Sequence, residues 1–199
     1  MELWLVRHGD TIVGEDGLYK PHHGLTELGF EQARSVAHAL KDVEFDECYS
    51  SNLPRAIQTA QTYADLTSRR FTRIADLDEI DVGHIEEASI DFKNDVVNHR
   101  VELDFSQFGG EDPNQFSNRV QQGFGQLLED AKSKNCQRVV GFLHAGTIGV
   151  ILDHIAGREF DYRSRPRMPN CAYTIVSEIS DGKWSEWNGW TSVHLPAIT

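Results

Sequence analysis

The chain is poor in cysteine, and its thiols are badly placed for cross-linking. Cys48, Cys136 and Cys171 are the only three among 199 residues. An odd number of widely separated thiols, with no CxxC pair, argues against a disulfide framework or a structural zinc site and fits a reducing compartment. Long apolar runs are missing too: nothing approaches the roughly 18 residues of a membrane span. The first residues, Met1 to His8, hold a short apolar run that gives way at once to charge, unlike a secretory leader. A cytoplasmic location is therefore the expectation. Basic side chains are scarce, 19 against 31 acidic, for a net charge of −12. A general nucleic-acid or anionic-membrane binder leans the other way, so neither partner is expected. In so acidic a chain, an anionic ligand has to be met by a local gathering of cations. Several signatures are absent as well: no cysteine has an arginine at the sixth following position, and there is no GxxxxGK[ST] loop and no HExxH. No repeat or low-complexity tract interrupts the chain.

What is present is ordinary globular material, 39% hydrophobic and 25% charged. The length suits one domain over residues 1–199 with a small inserted region. Glu2 to Val6 is a compact β-prone run that stops at Arg7-His8-Gly9 and predicts a buried first strand. Thr26 predicts an N-cap for a helix to about Leu40, with Leu28, Ala33, Val36, Ala37 and Leu40 on its buried face. Phe45 to Ser50 predicts a second strand. Pro54 opens a second helix, a position that suits a residue without an N–H, with Ala56, Ile57, Ala60, Tyr63 and Ala64 as its stripe to about Leu66.

Residues 83–113 are charged, with scattered apolar positions, and predict a cap-like excursion with one or two short helices. A long helix from about Asn114 to Lys134 carries Phe116, Val120, Phe124, Leu127 and Leu128. Arg138 to Leu143 predicts a buried strand ending at His144, followed by a helix over Thr147 to Ile155. Cys171–Ile179 and Trp184–Trp190 predict two strands joined at Asp181-Gly182, a hairpin signal. Strands alternating with helices predict a three-layer α/β/α sandwich with a mostly parallel sheet. Ligands in such sheets sit beyond the carboxyl ends of the strands.

Two predicted strands end in histidine, His8 and His144, and Arg55 follows a third by a few residues. With Arg7 they supply two guanidiniums and two imidazoles for one crevice, a set that suits a phosphoryl group: arginine forks match phosphate oxygens, and phosphoryl transfer needs chiefly positioning and charge stabilisation. A neutral imidazole can itself be the nucleophile. The departing alkoxide then needs a proton, and Glu79 in Leu77-Asp78-Glu79 can provide it. A histidine at a strand end is more often structural than catalytic, and acidic turns such as the one holding Asp76, Asp78, Asp81, Glu86 and Glu87 are commonly just solvated. The convergence of strand ends is what favours the chemical reading.

These residues carry a resemblance. Arg7-His8-Gly9-Asp10-Thr11 resembles the signature of the histidine phosphatase superfamily, also called phosphoglycerate mutase-like. Leu25-Thr26-Glu27-Leu28-Gly29, Ser50-Ser51-Asn52-Leu53-Pro54-Arg55-Ala56, Leu77-Asp78-Glu79 and Leu143-His144-Ala145-Gly146 resemble four further blocks in order. Pro169-Asn170, Trp187-Asn188 and His194-Leu195 resemble the C-terminal strands. The resemblance implies a phosphoglycerate mutase-like fold, His8 as the phosphorylated nucleophile, Arg7, Arg55 and His144 as the phosphoryl clamp, Glu79 as proton donor and then base, and no metal or other cofactor. The chain departs from the family at Gly14, where many members carry Asn, at Ile85-Glu86-Glu87 in place of Trp-Glu-Gly, and at Asp112 after Gly109-Gly110-Glu111.

Other clusters read more plainly. His22-His23 lacks a third ligand at metal-site spacing and fits a solvent or substrate-lid role; His84 with Glu87 is equally weak. Arg158, Arg163, Arg165 and Arg167 read as a solvated loop, with a second anion site as the sharper alternative. Trp184, Trp187 and Trp190 read as packing for the C-terminal strand. The expected activity is metal-independent hydrolysis of a small phosphorylated metabolite. A phosphoglycerate-type mutase is the first rival and a non-catalytic phospho-ligand binder the second. The identity of the ester and the oligomeric state are not written in the sequence.

Overall fold

The structure is a computed structural model that describes residues 1–14, 20–97, 104–161, 167–180 and 182–194. It is α/β, with one six-stranded sheet. In chain order the elements are β1 (Glu2–Arg7), α1 (Glu27–Leu40), β2 (Glu47–Ser50), α2 (Pro54–Thr67), β3 (Thr72–Arg73), α3 (Ile90–Val97), α4 (Pro113–Ser133), β4 (Arg138–Leu143), α5 (Ala145–Ile155), β5 (Tyr173–Ser180) and β6 (Lys183–Trp184). The strand order is β3-β2-β4-β1-β5-β6. The four strands from β3 to β1 run parallel, and β5 and β6 are antiparallel additions at one side.

Alternation along the central strands builds two cores. In β1, Leu3 and Leu5 face one apolar cluster and Val6 the other; in β4, Val139 and Leu143 oppose Val140 and Phe142 in the same way. Successive strand residues point to opposite faces, so a sheet covered on both sides reads as a continuous apolar run. One cluster closes against Phe116, Val120, Phe124 and Leu127 of α4 and Ile148 and Ile151 of α5. The other closes against Ala33, Val36 and Leu40 of α1 and Ala60 and Tyr63 of α2. This is the expected three-layer sandwich.

Local differences from the sequence reading have simple causes. Leu28 is 46% exposed, because it lies in the first turn of α1 before the helix meets the sheet, and Gly29 and Gln32 take the buried positions instead. Phe45 precedes β2 and fills the α1–α2 core from a loop. Ile57 is half-buried, while Arg55 and Thr59 are buried on that side of α2. The last expected strand shrinks to Lys183–Trp184, and beyond it Thr191 makes an isolated bridge to Tyr173. Trp187 and Trp190 pack on each other and on the α4–α5 core rather than continuing the ladder. Gly182 takes the left-handed φ of 71° that a hairpin turn requires, and Asp181 lies outside the described residues. The described residues of 83–113 include two 3-10 turns and α3 around a small cluster of Ile85, Ala88, Val96 and Phe105. Among the described residues no helix is long and apolar enough to cross a membrane.

The loop after β1 lies directly on the start of α1. A Cβ on Gly29 would overlap the carbonyl oxygen of Asp10, and one on Gly9 would overlap the carbonyl oxygen of Gly29. Ordinarily Gly→Ala inside a helix stabilises by about 0.5–1 kcal/mol. Gly125→Ala, in α4 with nothing near the new methyl, should show that gain in urea melts. Gly29→Ala should instead lose about 1–3 kcal/mol, the usual cost of forced overpacking.

Candidate active site

Strand register brings the two histidines together. β1 and β4 pair Arg7 with Leu143, so the next residues, His8 and His144, leave the sheet side by side. The His8 N–H donates to Leu143 O at 2.9 Å, and the two rings lie 5.1 Å apart, tilted by 56°. Both imidazoles are buried.

The environment of His8 fixes its tautomer. Its Nδ1 lies 2.7 Å from Gly9 O. A carbonyl oxygen can only accept, so Nδ1 carries the proton and Nε2 keeps its lone pair. Thr11 Oγ1 lies 3.2 Å from the same nitrogen and itself donates to Gly9 O at 3.0 Å. The backbone is clamped as well: Gly9 N donates to Thr59 Oγ1, while Cys171 N and Asn170 Nδ2 donate to His8 O. Burial, reinforced by the charges of Arg7 and Arg55, pushes the pKa of His8 well below the ordinary imidazole value, against a smaller opposing effect of the Gly9 bond. The ring is neutral.

His144 is the N-cap residue of α5. Its Nε2 lies 2.7 Å from Ser51 Oγ, and its buried Nδ1 has no hydrogen-bond partner among the described residues. Burial first, then Arg55, His8, Arg7 and Arg119, hold its pKa well below the ordinary value. A buried polar nitrogen without a partner costs about 1–3 kcal/mol, a penalty that hydrogen bonding to a ligand oxygen would relieve.

The two arginines come from different layers. Arg7 ends β1 and its Nη1 donates to Met168 O. Arg55 is the second residue of α2, is only 3% exposed, and donates from Nη1 to Lys20 O at 3.3 Å. Pro54 before it occupies the helix start without spending an N–H. Both guanidinium charges act on both histidines, and the four residues gather near the carboxyl ends of the parallel strands.

Glu79 approaches from the loop after a 3-10 turn over Ala75–Leu77. Its Oε2 accepts from Gly146 N at 3.0 Å and its Oε1 from Ile80 N at 3.1 Å. Any side chain at Gly146 would collide with this carboxylate, which gives the glycine two places after His144 a reason. The loop is held from behind by Arg119 of α4. Arg119 donates to the carbonyls of Asp76, Asp78 and Glu79 at 3.0–3.2 Å and forks onto Glu111 at 2.7 and 2.6 Å. Glu111 also accepts from Asp81 N. Burial works against the charge of Arg119, but Glu111, Asp78 and Glu79 outweigh it and raise its pKa. Neighbouring Asp78 accepts from Asn52 N at 2.6 Å, and burial raises its pKa. A cavity of about 420 Å³ opens beside Arg55 and Glu79.

The sequence reading passed over Arg119 and Ser51. Arg119 had a signal: it lies three residues after Phe116 and four before Gly123, on the buried side of α4, where a lone arginine needs partners. Of the other candidates, His23 comes near Arg55: burial, His22 and that charge lower its pKa, and Arg55 donates to the neighbouring Lys20 carbonyl. His22 and His23 meet edge to face, with His23 Nδ1 accepting from Lys20 N. His84 is exposed beside Glu86. Arg158 pairs with Asp153 and Arg167 is exposed, while Arg163 and Arg165 lie outside the described residues. Among the described residues no group of three or more His, Cys, Asp or Glu side chains could hold a metal ion.

The neutral histidines have a consequence for stability. Unfolded, each titrates near pH 6.5; folded, each titrates well below that value. Stability is therefore fully present above pH 6.5 and falls as pH drops below it, by about 1.4 kcal/mol per pH unit for each ring. Urea melts in phosphate-free buffer from pH 8 to 5 should show the loss, and His144→Gln should remove about half of the slope that the pair contributes.

The chain matches the family model described as histidine phosphatase superfamily (branch 1) over residues 3–189. The adenosylcobalamin/alpha-ribazole phosphatase of Escherichia coli (strain K12) is 30% identical over 165 residues, which are 79% of this chain and 80% of that protein. The crystal structure of the alpha-ribazole phosphatase from Shigella flexneri aligns with a TM-score of 0.79 at 25% identity, covering 100% of both chains. That of phosphoglycerate mutase from Bacillus anthracis str. Sterne aligns with a TM-score of 0.71 at 21% identity, covering 97% of this chain and 92% of the other, a likeness of fold. A match that runs from the first strand past the last, on a fold shared with both structures, makes this chain a member of the histidine phosphatase superfamily.

Proposed function

We propose that the protein is a metal-independent phosphatase that hydrolyses a small phosphomonoester through a phosphohistidine on His8. The observation that carries this reading is the Nδ1–Gly9 hydrogen bond of 2.7 Å, which leaves the lone pair on Nε2 of a ring within reach of two guanidinium charges. Nε2 attacks phosphorus and the bond to the ester oxygen breaks, with Arg7, Arg55 and His144 stabilising charge on the phosphoryl oxygens. Glu79, as the carboxylic acid, gives its proton to the departing oxygen. Its carboxylate then takes a proton from the water that attacks phosphohistidine, releasing phosphate and restoring His8. The Gly146 N–H and the Arg119–Glu111 brace fix where that carboxyl group sits.

Hydrolysis is favoured over mutation because the sequence likeness reaches 30% identity with a protein described as a phosphatase, against 24–28% with proteins described as probable phosphoglycerate mutases, although the latter matches cover 96% of the chain. Both reactions share the phosphoenzyme, so inorganic phosphate release must be compared with a coupled mutase assay. Phosphate release from small esters without isomerised product is expected.

His8→Ala should lower turnover by at least about a thousandfold, while inorganic phosphate still binds in calorimetry through Arg7, Arg55 and His144. Full activity in that variant would end the proposed mechanism. Glu79→Gln should slow alkyl phosphates by about a hundredfold or more, the usual scale of general acid catalysis, and p-nitrophenyl phosphate far less, because nitrophenolate leaves without a proton. Equal losses on both esters would remove Glu79 from the donor role.

A further inference from the structure

We propose that the alcohol released from the phosphoryl group is cationic: the substrate is the phosphomonoester of an amino alcohol or of another alcohol bearing a positive charge. This inference rests on the phosphatase reading, because it uses the place that reading gives the leaving group. The ester oxygen that takes the Glu79 proton must lie beside that carboxyl group. Whatever is attached to the oxygen therefore occupies the cavity of about 420 Å³ that Glu79 and Arg55 line.

The charges around that cavity can be followed one by one. Of its three cations, Arg55 donates to the Lys20 carbonyl and its charge acts on His8 and His144, Arg119 is engaged by Glu111 and backbone carbonyls, and Lys20 pairs with Glu86 at 3.5 Å. Of its carboxylates, Glu79 is assigned to proton transfer and Glu111 to Arg119. Asp78 accepts from the N–H of Asn52 at 2.6 Å and lies within reach of the Arg119 and Arg55 charges. Two remain on the wall, Asp76 and Asp81, and their hydrogen-bond donors are neutral. Asp76 takes the amide of Gln126 at 2.8 Å and Asp81 the N–H of Gly83 at 2.9 Å. A substrate carboxylate placed here would face these two like charges in a chain of net charge −12. An ammonium would be attracted by the same groups. Ile80 and Val82 on the same wall suit the short hydrocarbon link between the ester oxygen and that charge.

Two esters of equal length isolate the effect. O-phosphoethanolamine ends in an ammonium and phosphoglycolate in a carboxylate, two carbons from the ester oxygen in each. Phosphate release from both is measured alongside p-nitrophenyl phosphate, for the wild-type protein and for the variant Asp76→Asn with Asp81→Asn, which keeps both side-chain acceptors. The expected result is a kcat/KM ratio of about ten or more in favour of phosphoethanolamine, falling toward one in the double variant. A smaller ratio, a preference for phosphoglycolate, or a preference that survives the double substitution overturns the proposal while p-nitrophenyl phosphate is still hydrolysed. Loss of hydrolysis of all three esters in the wild-type protein overturns the phosphatase reading itself.

Discussion

The parallel pairing of β1 with β4 is the constraint on which the site depends. Arg7 lies opposite Leu143, and His8 and His144 follow as neighbours. A shift of one residue would turn Leu3, Leu5 and Val6 to the wrong cores and carry His8 to the other face. The packing of the two cores therefore enforces the geometry of the two imidazoles. The same parallel arrangement sends the end of β2 to that edge, and α2 then delivers Arg55 into the crevice. Fold stability and site geometry are here one requirement.

Electrostatically the crevice is an unfavourable arrangement of groups that becomes useful when an anion arrives. Two guanidinium charges act on two buried rings in an otherwise acidic protein. Burial and the arginine charges keep both rings neutral, which a nucleophilic imidazole requires. A dianionic phosphoryl group would reverse the local potential and be met by donors already in place. The acid loop solves the complementary problem. Its carbonyls converge on Arg119, Glu111 balances that charge, and the Glu79 carboxyl group is left pointing at the Gly146 N–H.

Much of this was legible in the sequence because parallel, doubly covered strands leave continuous apolar runs, and the residues that end them are easy to see. Arg138–Leu143 and the caps at Thr26 and Pro54 are of this kind. What stayed hidden depends on three dimensions. Resemblance singles out Glu79, but among the six acidic residues from Asp76 to Glu87 its contact with the Gly146 N–H, sixty-seven positions away, is not legible locally. Arg119 shows in the sequence as a lone arginine on the buried side of α4, but its partners, the carbonyls of the acid loop, come from forty or more residues away. The tryptophans near the C-terminus have strand-like spacing, but pairing ends at Trp184 because Trp187 and Trp190 gain more by packing on the α4–α5 core.

The central claim is that phosphorus is transferred to Nε2 of His8. Rapid-quench trapping during turnover, followed by mass spectrometry and by 31P–15N correlation on labelled protein, tests it most directly. The account predicts one acid-labile phosphoryl group on the peptide containing His8, attached at Nε2. A phosphoryl group on another residue, attachment at Nδ1, or full turnover by a variant lacking the His8 imidazole would contradict it.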